Sequence, residues 1–171
     1  MFRYHIPRIA NSLASVHPKI MEQLIPVFGL RSETLPIKTR ACAYAVVTNA
    51  EGLVAAVRES HGLHLPGGGI EPSETPAEAV HREVREELGC RVILGERIGQ
   101  ATQYFESDGY CQALYATFYA GELGEVISAT HEHELVWIPA EQLLHAHHAW
   151  ATQKHLRRMT ARVHAESVPG N

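Results

Sequence analysis

Apolar residues recur along this chain at two spacings, every second residue and every third or fourth, and the alternation of the two predicts its elements. From Pro36 the stretch ACAYAVVT, the turn residues Asn49 to Gly52 and the stretch LVAAVR read as two strands joined in a hairpin. Strand patterning resumes after Gly89 in RVILGERIG and QATQYF, breaks at Ser107-Asp108-Gly109, returns in YCQALYATFYA and appears again in HELVWI. Two helical stretches, AEQLLHAHH and WATQKHLRRMTARVHA, follow Pro139. At the other end Ile9, Leu13, Val16, Ile20, Leu24 and Val27 stand three and four residues apart, which predicts two short helices broken at His17-Pro18 and stopped by Pro26. That stripe suits a lid, a homodimer arm or packing on the core. It divides the chain into an N-terminal helical extension, residues 1–35, and a single domain over 36–171.

The best-signalled element lies in the middle. Thr75 is a good N-cap, Pro76 suits the first helical position where no donor is needed, and Glu78 completes a T-x-x-E capping box. Gly89 supplies the left-handed residue that ends a helix of about three to four turns. Val80, Val84 and Leu88, with Ala77 beside them, form a stripe that should pack on a sheet.

The polar side of this helix carries the chemistry. Glu83, Glu86 and Glu87 stand at i, i+3 and i+4, where like charges repel by a few tenths of a kcal/mol per pair. A divalent cation reverses that cost. Arg82 is within helical reach of Glu78 and Glu86 and orients carboxylates through its fork of donors. Ahead of the helix, Gly67, Gly68 and Gly69 make a tight turn whose backbone, free of Cβ atoms, can approach a metal or a phosphate. No G-K-[ST] follows these glycines, so a P-loop is excluded.

Residues 68 to 90, GGIEPSETPAEAVHREVREELGC, resemble the Nudix box, G-x5-E-x7-R-E-U-x-E-E-x-G-U with U aliphatic. Gly68, Glu74, Arg82, Glu83, Glu86, Glu87 and Gly89 meet its fixed positions, Val84 meets the first U, and Cys90 fills the last as a small apolar residue. The resemblance covers about residues 36 to 160. It implies an α/β (α+β) fold with a mixed curved sheet between helices, and an enzyme that hydrolyses a pyrophosphate bond in a nucleoside diphosphate-linked substrate. It further implies Mg2+, with Mn2+ as substitute, held by Glu83, Glu86 and Glu87 and a carbonyl of the glycine turn, Gly67. Arg82 joins the catalytic set as an orienting group, and Glu83 is the alternative water activator. Gly68 and Gly69 line the phosphates.

Many members of the family add an acidic residue from a later strand, for which Glu132 and Glu134 are the candidates. Arg58, at a strand end near the box, is a candidate phosphate clamp. Tyr104, Phe105, Tyr110, Tyr115 and Trp137 are candidates to grip a base. Residues 91 to 138 contain no proline, against an ADP-ribose hydrolase, and Glu106, Ser107 and Asp108 stand where a dinucleoside polyphosphate hydrolase has a tyrosine. A nucleoside triphosphate, including an oxidised one, giving the monophosphate and pyrophosphate is the preferred substrate. Dinucleoside polyphosphates, ADP-ribose and nucleotide sugars are the alternatives, and a non-catalytic nucleotide sensor is the alternative of another class.

Composition narrows the setting. A formal charge of −4 over 171 residues offers no general attraction to a nucleic-acid polymer, so the expected partner is a small nucleotide. Cys42, Cys90 and Cys111 are odd in number and lack metal spacing, which suits a reducing cytoplasm, and no apolar run approaches membrane-spanning length. Twelve histidines include His131 with His133, and His145 with His147 and His148. Without a cysteine at zinc spacing these read as surface residues.

Overall fold

The computed structural model describes residues 25 to 166. The helices expected between Ile9 and Leu24 lie outside these residues. Val27, the last member of that stripe, is found in a two-residue strand, β1 (Val27–Phe28), which runs parallel to Thr102 and Gln103. The remaining strands are β2 (Ile37–Val46), β3 (Val54–Glu59), β4 (Gly62–His64), β5 (Gly67–Gly69), β6 (Cys90–Ser107), β7 (Tyr110–Val126) and β8 (Glu134–Ile138). Among the described residues two helices, α1 (Pro76–Leu88) and α2 (Ala146–Glu166), complete the α+β fold.

The strands form two sheets. One is mixed, in the order β1-β6-β7-β2-β5, and the other is antiparallel, in the order β4-β3-β8. The expected β2–β3 hairpin is therefore reduced to its turn: Gly52 N–H donates to Asn49 O at 3.0 Å, and a single bridge joins Thr48 to Val54. The cause is edge occupancy. β2 pairs in parallel with β7 over ten residues on one side and antiparallel with β5 on the other, which leaves no edge for β3. β6 and β7 form a long hairpin around Asp108 and Gly109, whose φ of 53° and 76° give the two-residue turn favoured by right-twisted strands. Bulges between Cys90 and Val92 and between Leu94 and Gly99 bend β6.

Side-chain alternation along β2 divides the core. Ala43, Ala45 and Val47 face Val80, Val84 and Leu88 of α1, as the apolar stripe predicts, whereas Cys42, Tyr44 and Val46 face Phe118, Leu143 and Ala151. In β3 the same alternation sends Ala55 and Val57 to the α1 side, and Val54 and Ala56 away from it.

The C-terminal region departs from expectation. AEQLLHAHH forms only a 3-10 turn (Ala140–Gln142), because Leu143 is extended and Leu144 N–H donates to Leu63 O at 2.8 Å, tying the segment to β4. α2 starts at Ala146 and directs its first histidines inward. His147 and His148 are fully buried, contrary to their reading as surface residues. Their rings lie edge-on to Tyr44 and Phe118, His148 being 4.4 Å from Tyr44, and His148 Nδ1 accepts from Leu65 N–H at 3.3 Å. Burial pushes His145 down to about 4 and His147 to about 3, and His148 well below the usual range, so all three are neutral near pH 7.

A pH dependence of stability follows. Below the ordinary histidine value of 6.5 the unfolded chain takes up protons that the folded chain refuses until about pH 4 to 3, so stability is complete above pH 6.5 and falls on acidification through that window. The expected slope is up to about 1.4 kcal/mol per pH unit for each such histidine. Urea titrations between pH 7 and 4 should show it, with a shallower fall in His147→Leu. Equal slopes in the two proteins would contradict this account.

Candidate active site

The site is built around α1, whose start and end are fixed locally. Thr75 Oγ1 accepts from Glu78 N–H at 3.3 Å, Glu78 Oε2 accepts from Thr75 N–H at 2.8 Å, and Gly89 closes the helix at φ 64°. Because Glu78 is committed to this capping box, Arg82 keeps Glu86 of the two partners helical spacing predicts and adds Glu74 in place of Glu78. Arg82 Nε donates to Glu74 Oε1 at 2.6 Å and Nη2 to Glu74 Oε2 at 3.0 Å, a bidentate pair with the loop ahead of the helix. The same guanidinium donates to Gly69 O at 2.9 Å and lies 3.0 Å from Glu83 Oε1 and 3.2 Å from Glu86 Oε2. Arg82 thus ties the loop, the glycine strand and two of the three helix carboxylates together. Its guanidinium, with help from Glu71 N–H, holds the Glu74 carboxyl down at about 2.

β5 lies against this helix. Ala45 N–H donates to Pro66 O and Ile70 N–H to Ala41 O, so in the antiparallel ladder Gly67 turns its own polar groups away from β2. The Gly67 N–H donates to Glu87 Oε2 at 2.9 Å. The contact established for Gly67 is thus through its amide. The Glu83 carboxylate lies over Gly68, where a Cβ would come within 2.7 Å of Oε1, and the Arg40 guanidinium packs against Gly69. Arg40 is a cation at the glycine turn that the sequence reading missed, although the β2 alternation and the bare backbone opposite it were the available signal.

Glu87 is buried, with 5% of its surface exposed. Burial pushes its carboxyl up to about 8, a rise that the Gly67 N–H opposes and the negative charges of Glu83, Glu59 and Glu132 reinforce. Two further groups lie beside it: Glu59, which the sequence reading missed, and His133, which it took for a surface residue. Glu59, at the end of β3, and His133, ahead of β8, place ligand atoms within 4.8 Å of each other and of a Glu87 oxygen. Glu59 continues the Ala55, Val57 series onto the α1 side, so strand periodicity was its signal. His133 is placed by its backbone: its N–H donates to Glu87 O at 2.9 Å, as Glu132 N–H does to Glu86 O at 3.1 Å. This donor set, anionic oxygens with one imidazole, fits a divalent cation.

Two sequence candidates are paired with each other. Arg58 and Glu134 are register partners across β3 and β8, joined Nε to Oε2 at 2.8 Å and more than half exposed. Arg58 precedes Glu59, so it belongs to the Val54, Ala56 side of the strand. Of the aromatic candidates, Tyr110, Tyr115 and Trp137 are exposed, and Phe105 lies 5.0 Å from the His145 ring.

The family model described as NUDIX domain matches residues 38–161, and the chain belongs to that family. It is a Nudix hydrolase, an enzyme of the pyrophosphohydrolase kind. An RNA pyrophosphohydrolase of Bartonella tribocorum is 33% identical over 119 residues, covering 56% of this chain and 68% of that protein. A nucleoside triphosphatase NudI of Escherichia coli O1:K1 / APEC is 34% identical over 106 residues, covering 54% and 72%. Among solved structures, a MutT protein from Methanosarcina mazei Go1 superposes with a TM-score of 0.56 at 26% identity, covering 74% of this chain and 98% of that one. No helix among the described residues is long and apolar enough to cross a membrane.

Proposed function

We propose that this protein hydrolyses nucleoside triphosphates, oxidised ones included, to a nucleoside monophosphate and pyrophosphate with the help of Mg2+ or Mn2+. The observation that carries the reading is the single network in which Arg82 binds Glu74, Glu83, Glu86 and the glycine strand while Glu87 stays buried beside it. Hydrolysis at phosphorus needs neutralised phosphate charge, an activated water and a fixed in-line geometry. Glu87, with Glu83 and Glu86, would hold a cation, which would supply the first and lower the pKa of water. Glu83, fixed over Gly68 by Arg82, orients or deprotonates that water. Arg40 and the backbone amide of Gly69, which like that of Gly67 turns away from β2, offer contacts to the remaining phosphate oxygens. The setting we infer is the cytoplasm, where the three buried free thiols stay reduced.

Hydrolysis in 18O-labelled water is expected to give nucleoside monophosphate and pyrophosphate, with label only on the phosphorus attacked. Chelation should abolish turnover and added metal restore it. Stepwise release of orthophosphate with a diphosphate as first product would refute the reading, as would full turnover in excess EDTA after removal of bound metal. A second substrate, the 5′-triphosphate end of an RNA, is favoured by the names of relatives such as that of Bartonella tribocorum. It presents the same phosphates and belongs in the same assay. The formal charge of −4 weighs against extended contact with the polymer, so RNA cleavage should depend weakly on length beyond the first nucleotides.

A further inference from the structure

We propose that the metal centre is a mixed nitrogen and oxygen site in which Glu59 and His133 join Glu87, and that it therefore takes Mn2+ in preference to Mg2+. The inference deepens the reading above, which needs a divalent cation here, and chooses between its two candidates. Three separate parts of the chain converge: the end of β3, the last turn of α1 and the loop before β8. Their ligand atoms all lie within 4.8 Å of one another. Ligands held about 2.1–2.2 Å from one ion stand up to about 4.4 Å apart, so a small contraction seats a cation among them.

The convergence is built into the backbone. The amide of His133 is bonded to the carbonyl of Glu87, the residue whose side chain it would share a metal with, and Ile127 and Ser128 N–H both donate to Gly89 O, at 2.8 and 2.9 Å. Both ends of the loop are thereby stitched to the end of α1. Glu59 is fixed by β3, which pairs on both edges. Among the described residues neither the Glu59 carboxylate nor the His133 ring has a side-chain hydrogen-bond partner, and Gly67 N–H engages only one Glu87 oxygen. Glu59 and the buried Glu87 bring two carboxyl groups to one point, and an imidazole beside them is a ligand type that Mg2+ takes poorly and first-row transition ions take well.

The test is Mn2+ added to the full chain, with binding followed by loss of the free-ion EPR signal and the bound ion examined by electron spin echo modulation. We expect 14N coupling from one coordinated imidazole, and Mn2+ binding at least about tenfold tighter than Mg2+ by competition. His133→Gln should remove the 14N coupling, weaken Mn2+ about tenfold or more and level the preference. Glu59→Gln should weaken Mn2+ to a similar degree and keep the coupling. Circular dichroism of each variant confirms the fold. Bound Mn2+ without nitrogen coupling, coupling that survives His133→Gln, or no Mn2+ binding would each overturn the proposal. Nitrogen-coupled Mn2+ in a protein that hydrolyses no nucleotide would uphold it and strike down the reading of substrate instead.

Discussion

Replacing Glu87 by glutamine is expected to lower turnover by about a hundredfold or more while raising the stability of the metal-free protein at pH 8. Both effects have one cause, the placing of a carboxyl group where water cannot solvate it. The folded-state value near 8 lies above the ordinary 4.5, so the stability contribution is complete below pH 4.5 and is lost as pH rises through about 8, when the folded chain must give up the proton or keep a buried charge. Glutamine accepts the same Gly67 N–H without ionising. A bound cation exploits the group in the wild type and gains little from the amide. Thermal melts in chelator at pH 6 and pH 8, beside steady-state rates with metal, measure the two effects. Unchanged turnover in the variant would remove Glu87 from the catalytic set, and a wild-type stability independent of pH over that range would remove the argument from burial.

The second large effect belongs to Gly67. Gly67→Ala is expected to lose about 3 kcal/mol or more and to fail to accumulate as folded protein. Gly67 has φ 128°, a conformation L-residues rarely adopt, and an added Cβ would collide with Ala43 O and stand 2.8 Å from Tyr44 Cα. These are backbone atoms of β2, held by strands on both sides, and cannot step aside. Gly68→Ala separates folding from function, because the atoms nearest its Cβ are those of the Glu83 carboxylate, a side-chain end that can swing away, and not backbone. That variant should fold, show a normal urea midpoint within about 1 kcal/mol, and lose activity as Glu83 is pushed off its place. Normal expression and stability of Gly67→Ala would show that the glycine is incidental.

What could be read from the sequence was what is local. Thr75, Pro76, Glu78 and Gly89 specify α1 within one stretch, and the structure places its caps and its Val80, Val84, Leu88 stripe as that stretch predicts. Of the two partners that helical spacing offers Arg82, Glu86 is met, whereas Glu78 is taken by the cap and Glu74, which precedes the helix, stands in its place. The β2–β3 hairpin was overread because β5 takes the edge of β2 that β3 would need, beyond which Val47 O still accepts from Ala55 N–H. His147 and His148 looked like surface residues until α2 laid its first turn against Tyr44 and Phe118. Glu59 and His133 come together only through contacts between β3, α1 and a loop, and no spacing within one element announces them.

The compactness of the stretch from Gly67 to Gly89 has a consequence for how such a protein changes over generations. Most contacts that shape the hydrolytic apparatus lie inside those residues, whereas Phe105, Tyr110, Tyr115 and Trp137 sit on other strands and share none of the Arg82 contacts. Mutations that reshape what lies beyond the phosphates therefore leave the bond-breaking parts in register. On the proposed reading, drift in β6, β7 and β8 can alter which base is gripped while the Arg82 network keeps its shape.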